Sequence, residues 1–494
     1  MKPVLDTTPQ EAEEPDAICT TPACVLAAAA ILQNLSPRRH DLDPCTNFDQ
    51  YVCEGFYEKH DIRPDQSGVS TAALMSESGD QLLRHLLEAP FTEIEPIMAD
   101  SVTSSDRAIF EKLQASYAAC LDEKLLEDIG VAPMAVFYAD IKALYPVNET
   151  FTPTGSIFPQ LRTQSQLGIV VEDSNAITDV ISYLISIGTS ALIDIGVSAD
   201  DKDPDVVVPF VYAPRSPGLP SKEYYEDEEV LARYTEATRQ THDAFLKKFN
   251  LTAPPDMADH VLKLEAKIAR ALPDAEDADD VTFYYNPMTF EQAKSLLPQV
   301  SLEHLVKSLA PHAPRPSKLI IGAPQYLRDL SQILEETSAE TLLAYFLKRA
   351  MQRYAYKVED DALKPLKRFN NELQGKDPDA AEERWRTCVK VADGGLGWIL
   401  SRFFVQKAFS EESRIFGDNI VSDIKVQFVE RLKQVDWMSP EVRELGIEKG
   451  ELSSSIYNDS RSLLGTSLTS ESARYRSKDW LSNTITRHPQ RFST

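Results

Sequence analysis

Helix start signals spread along the chain constrain its fold more than any other feature. Thr21-Pro22 places proline at a first helical position, where the missing N–H costs nothing. Thr289 to Gln292 fits a capping box, in which the third helical side chain reaches back to the cap. Thr337 to Glu340 repeats that pattern, and Ser439-Pro440-Glu441 opens a further helix. These signals predict a mainly α protein.

Apolar side chains at helical spacing predict which faces are buried. One long helix after the second capping box carries a core-facing stripe, formed by Leu343, Leu347, Ala350 and Tyr354. A further buried helix is predicted from four aromatic residues, Trp398, Phe403, Phe404 and Phe409. The glycines of Gly394 to Gly397 precede them and predict a turn or a close approach of two helices rather than a phosphate loop.

Strand signals are few. Ala191–Val197 and Val206–Tyr212 are short apolar runs separated by polar residues, which predicts a hairpin. Pro209 would confine the second strand to an edge, because proline cannot donate to a neighbouring strand. Leu319–Ile321 is a third short candidate. The predicted fold class is therefore mainly α, a large multi-helix lobe with a small β-hairpin or sheet.

Charge and hydropathy exclude two classes of partner. The 494 residues contain 51 basic and 77 acidic side chains, a formal net charge of −26. Phosphate backbones and anionic lipids need clustered lysine and arginine, so we expect no nucleic acid as partner. The longest uninterrupted apolar run, Ala23 to Leu32, has ten residues, whereas a membrane span needs about twenty. We expect no membrane span in this chain.

Both ends of the chain differ in composition from its middle. Residues 1–18 predict a disordered acidic tether, with no signal peptide or membrane anchor visible, so the chain is either cytosolic or lacks its natural start. Residues 451–494 are rich in serine and threonine and predict a divergent, disordered tail. The acidic run 274–280 lacks the glycine and the terminal glutamate of a calcium loop and predicts a solvated loop.

The cysteine and sequon patterns by themselves leave the compartment open. Six cysteines, at positions 19, 24, 45, 53, 120 and 388, are too sparse for a disulfide scaffold, and free thiols and bridges are both compatible with them. Asp43 and Pro44 predict the start of a helix that holds Cys45 and Cys53. Four N-x-S/T sequons occur, at Asn34, Asn148, Asn250 and Asn458. Asn148 and Asn250 lie near prolines and are the two candidate glycosylation sites.

Cys19-x4-Cys24 and an alanine-rich helix are followed by six motifs, the whole series lying within about residues 19–450. They are DPCTNFDQYVCEGF (Asp43–Phe56), GLPSKEYY (Gly218–Tyr225), YNPMT (Tyr285–Thr289), APQYL (Ala323–Leu327), WRTC (Trp385–Cys388) and DWM (Asp436–Met438). This order resembles the N-terminal, non-catalytic region of the neprilysin and endothelin-converting-enzyme family of zinc metallopeptidases. Phe56 stands where that family usually has tryptophan.

The resemblance implies a fold, a location and a cysteine pattern. Residues 19–450 would form the helical domain that covers the zinc site and admits only peptides, in an extracellular or secretory protein. By resemblance Cys19 pairs with Cys24 and Cys120 with Cys388, while Cys45 and Cys53 would bond to a C-terminal half. Eight residues of helix rise about 12 Å, too far for a bond between Cys45 and Cys53, which needs roughly 4.4–6.8 Å between Cα atoms.

The catalytic signature of the family is missing from this sequence. Zinc-dependent hydrolysis of peptide bonds in this family needs the motif H-E-x-x-H, which places two imidazoles one helical turn apart with a glutamate to activate water. The eight histidines stand at 40, 60, 85, 242, 260, 304, 312 and 488; none precedes a glutamate and no two are four residues apart. We therefore assign no catalytic residue, no metal ligand and no cofactor in this chain, zinc belonging to the full-length family. Some members of the family hold substrate with an arginine soon after the first motif. The corresponding residues here, 67–73, contain no arginine, so no substrate-pocket residue is assigned by resemblance.

Two functional hypotheses follow. In the first, the chain is the substrate-enclosing lobe of a metalloendopeptidase, inactive alone, with oligopeptides as partners once a catalytic half is supplied. In the second, it is a non-catalytic peptide-binding or regulatory protein built on the same lobe. The apparent lack of a partner for Cys45 and Cys53 favours the first.

Overall fold

The computed structural model describes residues 19–94, 104–147, 175–249, 253–254, 256–355, 358 and 360–450. The predicted tether, the predicted tail and the candidate glycosylation residues Asn148 and Asn250 lie outside these ranges.

Helices dominate the described residues, which confirms the predicted mainly α class. The first group is α1 (Pro22–Asn34), α2 (Phe48–Tyr57), α3 (Thr71–Glu88), α4 (Phe91–Ile94), α5 (Ser104–Leu121), α6 (Glu123–Ile129), α7 (Met134–Leu144) and α8 (Ala176–Ser186). The second group is α9 (Glu228–Lys248), α10 (Met257–Arg270), α11 (Ala275–Asp279), α12 (Val281–Tyr284), α13 (Phe290–Leu296), α14 (Leu302–Leu309), α15 (Pro324–Glu335), α16 (Ala339–Tyr354), α17 (Lys364–Leu373), α18 (Arg384–Ala408) and α19 (Glu411–Gln434). Residues 440–450 are also helical.

Capping chemistry sets several of these starts. Thr289 and Gln292 form the predicted reciprocal capping box of α13. At α16 the cap is Ser338 rather than Thr337, since the Ser338 hydroxyl accepts from the Thr341 amide. The acidic run predicted as a loop is exposed but includes the short helix α11.

The first motif folds as a close contact between α1 and α2. Helix α2 begins at Phe48 with Asn47 as its cap, so the predicted start at Asp43 is wrong; the Asp43 carboxylate instead accepts from the Cys45 amide in the preceding turn. A Cβ on Gly55 would lie 2.5 Å from the Leu35 carbonyl oxygen, so the approach of the two helices needs glycine there. Hydrogen bonds from Ser36, Gln50 and Arg38 lower the pKa of Glu54 to about 2.

A four-stranded sheet lies beside the helices. Strands β1 (Asp194–Asp200), β2 (Asp203–Tyr212), β3 (Asn286–Met288) and β4 (Leu319–Ile321) have the order β1-β2-β4-β3. β1 and β2 form the predicted antiparallel hairpin, and β2 runs parallel to β4. The prediction that Pro209 marks an edge strand is wrong, because β2 has neighbours on both sides. Proline is tolerated there since β4 pairs only with Phe210 and Val211, beyond it.

The two largest apolar clusters of the described residues hold many of the helices together. The larger surrounds β4, α8, α10 and α13–α16 and includes Tyr326 and Tyr345, whose hydroxyls donate to the Leu192 and Ala191 carbonyls. The smaller joins α3, α4, α5 and α18 around Phe110, Leu113 and Phe403. Trp398 is 94% exposed and Phe409 is 52% exposed, so their prediction as buried residues is wrong, whereas Phe403 is buried as predicted. Phe409 lies just after the end of α18. No helix in the described ranges has the length and apolarity that a membrane crossing requires.

Candidate functional site

A cleft of about 1620 Å³ opens along the inner faces of several helices. Its walls come from loops 188–190 and 215–218, the C-terminal part of α16, helix α17, the connection 376–384 and the first half of α18. Ser116 of α5 also reaches it. It is large enough to take an extended peptide segment, since pockets for drug-sized molecules measure about 300–1,000 Å³.

The lining is basic although the chain is acidic. Ten lining side chains are lysine or arginine: Arg215, Lys248, Arg349, Arg353, Lys364, Lys367, Arg368, Lys376, Arg384 and Lys390. Six are acidic: Glu127, Asp194, Asp360, Asp361, Asp379 and Glu382. The sign of the cleft is therefore opposite to the −26 of the whole sequence.

Helix α16 places two arginines in the wall one turn apart. Arg349 donates to the carbonyl oxygens of Ser190 at 2.9 Å, Ser216 at 2.8 Å and Pro217 at 2.7 Å. These bonds fix both loops against α16. Arg353 lies beside Gly188, whose φ of +76° favours glycine.

The GLPSKEYY motif is held behind this wall by a buried polar network. A Cβ on Gly218 would lie 2.0 Å from the Glu265 carboxylate, so only glycine fits. The Leu219 amide donates to the Tyr225 hydroxyl at 2.9 Å, which donates to Glu265 Oε1 at 2.8 Å. The motif therefore serves to seat the cleft loop on α10.

A buried cation completes the network. Lys348 Nζ donates to Glu265 Oε2 and, at 2.7 Å, to the Tyr234 hydroxyl, and the Glu265 side chain is 0% exposed. Burial lowers the pKa of Lys348, against the opposing effect of Glu265. Burial also raises the pKa of Tyr225 and of Tyr234. Sequence reasoning missed this pair; the available signal was one glutamate, Glu265, inside the apolar pattern of α10.

The glycine run 394–397 adopts neither predicted form. Helix α18 continues through it with a kink at Leu396, where φ is −133° and ψ is 19°. A Cβ on Gly394 or Gly395 would meet nothing within 4 Å, so close helix packing is excluded there. The kink instead forms part of the cleft wall.

The cysteines occupy three separate places. Cys120 and Cys388 are bonded, with Cα atoms 5.6 Å apart, and join α5 to α18. Cys19 and Cys24 are bonded at the start of α1, with Cα atoms 5.8 Å apart. The thiols of Cys45 and Cys53 are free, the first exposed and the second half-buried.

The described histidines do not form a zinc site. In the described ranges no three histidine, cysteine, aspartate or glutamate side chains converge into a group that could hold a metal ion. His304 is buried, and its Nε2 lies 2.7 Å from Asp179 Oδ1 and 3.3 Å from Ser308 Oγ, which fixes α14 against α8. We assign no zinc ligand in this part of the chain.

The family model Peptidase_M13_N, described as Peptidase family M13, matches residues 44–452. The chain belongs to peptidase family M13. The sequence resemblance to the neprilysin and endothelin-converting-enzyme family is thereby confirmed.

Several M13 relatives match nearly the whole chain. Human membrane metallo-endopeptidase-like 1 is 26% identical, with 89% of this chain and 54% of that protein covered. Human neprilysin is 24% identical over 88% of this chain and 56% of its own length. Mouse endothelin-converting enzyme 1 is 25% identical, with 89% and 53% covered. The chain thus spans about half the length of the curated relatives it matches.

Two solved structures share the fold. An inhibitor-bound zinc metalloprotease of Mycobacterium tuberculosis superposes with a TM-score of 0.66 at 20% identity, covering 85% of this chain and 57% of that one. The PepO protein of Lactobacillus rhamnosis HN001 superposes with a TM-score of 0.57 at 17% identity, covering 79% and 56%.

Proposed function

We propose that this chain is the substrate-enclosing lobe of an M13 zinc metalloendopeptidase and cleaves peptides only when joined by a zinc-binding half. Membership of the family and the endopeptidase names of its relatives support the reaction class. The cleft supports the enclosing role, because a walled chamber excludes folded proteins and holds a short peptide in place for attack.

The observation on which the proposal rests is a set of exposed apolar side chains near the end of the described chain. Trp398 is 94% exposed, Trp437 74% and Phe416 67%. Further exposed apolar side chains lie on α19 and on helical residues 440–450: Ile415, Ile420, Ile424, Val426, Phe428, Val442 and Leu445. Soluble proteins rarely expose so many large apolar side chains on consecutive helices unless another protein segment covers them. The free thiols of Cys45 and Cys53 would be further attachment points.

The test supplies a zinc-binding half. The chain is mixed with the HExxH-bearing C-terminal half of an M13 peptidase, and cleavage of a quenched fluorescent peptide is followed with and without a zinc chelator. We expect cleavage only in the mixture, abolished by the chelator, together with a fall in binding of an apolar dye to the chain. A matched variant, Trp398→Ser with Trp437→Ser, should weaken the complex. If the chain cuts the peptide unaided, or never binds such a half, the proposal is wrong.

A second candidate is a non-catalytic peptide-binding or regulatory protein. It is favoured by a cleft built wholly from described residues of a chain whose sequence has no HExxH. It predicts peptide binding without hydrolysis and a monodisperse chain that binds little apolar dye. Sedimentation of the chain alone separates the two candidates.

We also propose an extracellular or secretory location and a folded unit spanning residues 19–450. Two disulfides support the location, because such bonds persist in oxidising compartments. A shift in gel mobility after glycosidase treatment, lost in Asn148→Gln or Asn250→Gln, would support this location. Protein isolated from its native cells with all cysteines reduced and no glycan attached would contradict it. Limited proteolysis should cut first outside 19–450.

A further inference from the structure

We propose that the cleft is selective for acidic peptides, through a group of uncompensated cations on its wall; this rests on the proposed peptide-enclosing function. The cationic wall is defined as Arg215, Arg349, Arg353 and Lys376.

Ion pairs within the cleft cancel much of its charge but leave this wall. Four lining cations each have a lining carboxylate as partner: Lys248 with Asp360, Lys364 with Asp361, Arg368 with Asp379 and Lys390 with Glu382. The four residues of the cationic wall have no carboxylate within ion-pair distance among the described residues. The positive surplus of the lining therefore includes this wall.

The hydrogen bonds of Arg349 do not neutralise it. Its guanidinium donates to three backbone carbonyls, which satisfy N–H groups but bring no negative charge. The bond to Ser216 also holds the neighbouring Arg215 next to α16. Arg353 follows Arg349 by one helical turn, and Arg215 and Arg353 are both exposed. The wall is thus fixed in the backbone and open to a ligand.

Carboxylates are the groups that such a wall recognises. A planar guanidinium matches a carboxylate in a two-point hydrogen-bonded pair, and this holds for aspartate and glutamate side chains of a peptide. A cleft of one sign between walls of low dielectric also raises the local concentration of the opposite charge. Because the rest of the chain repels anions, an acidic peptide is drawn to the cleft and not to the outer surface.

The experiment compares three fluorescent peptides that differ only in charge: one rich in glutamate, its glutamine counterpart and its lysine counterpart. Binding to the full chain is followed by anisotropy at low and high salt. We expect the glutamate peptide to bind about tenfold more tightly than the glutamine peptide. Its advantage should shrink at high salt.

Charge reversal locates the effect. Arg215→Glu with Arg353→Glu should remove the preference for the glutamate peptide and reduce its affinity about tenfold or more. The matched control is Lys263→Glu with Lys294→Glu, two exposed lysines outside the cleft that impose the same change in net charge. The control should bind the glutamate peptide as the parent does. Circular dichroism confirms that both variants are folded.

Failure here differs from failure of the proposed function. Equal binding of all three peptides, or an equal loss in the variant and its control, overturns the acidic preference while leaving an enclosing lobe intact. No binding of any peptide also overturns it, and the cleavage mixture described above is then judged separately. Selective binding of the glutamate peptide by a chain that never joins a zinc-bearing half supports this inference and contradicts the peptidase role.

Discussion

Replacing Lys348 with methionine is expected to destabilise the protein more than any surface substitution. Methionine has a similar length but no charge, so the change leaves the Glu265 carboxylate buried at 0% exposure without its cation. The Tyr225 hydroxyl remains as its hydrogen-bond donor at 2.8 Å. The Tyr234 hydroxyl loses the Lys348 donor but keeps Gln352 at 3.0 Å.

The size of the effect follows from this geometry. Removing one partner of a buried ion pair costs about 3–5 kcal/mol, because the other charge is left uncompensated. The lower end applies here, since Tyr225 still donates to Glu265. Adding Glu265→Gln removes the orphaned charge, so the double variant should regain part of the loss. The resulting coupling energy should be about 1–3 kcal/mol.

Urea unfolding, followed by circular dichroism and tryptophan fluorescence, measures these free energies. Lys263→Met is the control, because Lys263 is an exposed lysine on α10 that lies outside the buried network; its effect should stay within about 0.5 kcal/mol. A loss below about 1 kcal/mol for Lys348→Met would refute the reasoning. So would a double variant whose loss equals the sum of the two single losses.

Three further predictions concern stability. Thr241→Val should stabilise the protein by about 1 kcal/mol, because the Thr241 hydroxyl is buried without a partner among the described residues. The control Thr235→Val removes a hydroxyl that donates to a backbone carbonyl, so it should not stabilise the protein. A lower thermal unfolding midpoint for Thr241→Val would contradict the prediction. Replacing both Cys120 and Cys388 with serine should cost about 2–5 kcal/mol, since their bond spans a sequence separation of 268; an unchanged denaturation midpoint would argue against it. Burial raises the pKa of Tyr326 well above its ordinary value, so the folded state keeps a proton that the unfolded state loses, and stability present below about pH 10 should fall as the pH rises further. Tyrosinate absorbance should then appear together with unfolding; full ionisation of a still folded chain would contradict the prediction.

Local signals predicted the helical elements well. The capping box at Thr289 is where the sequence places it, and the predicted hairpin is present although its first strand begins three residues later than predicted. Caps and turns are predictable because they depend on side chains a few residues apart. Boundaries shifted where two caps competed, as at Ser338 and Asn47. The position of β2 inside the sheet was not predictable, since β4 lies over a hundred residues further along the chain.

The cleft was much less accessible to sequence reasoning. Its cations come from segments far apart in the chain, so no local motif marks them. The Glu265 and Lys348 pair has a separation of 83 residues, and either residue alone resembles a solvent-exposed charge on a helix. Trp398 was misplaced because hydropathy gives the preference of a side chain for burial, not whether a neighbour is present to bury it.

The sequence alone determined the helical class, the order of the family motifs and the lack of an H-E-x-x-H pair, since each depends on residue identities at short spacing. Tertiary structure decided which charges meet, which aromatic residues stay exposed and what sign the cleft has. Those properties depend on distances between segments that the chain brings together only on folding, and Coulomb energies and burial are functions of those distances.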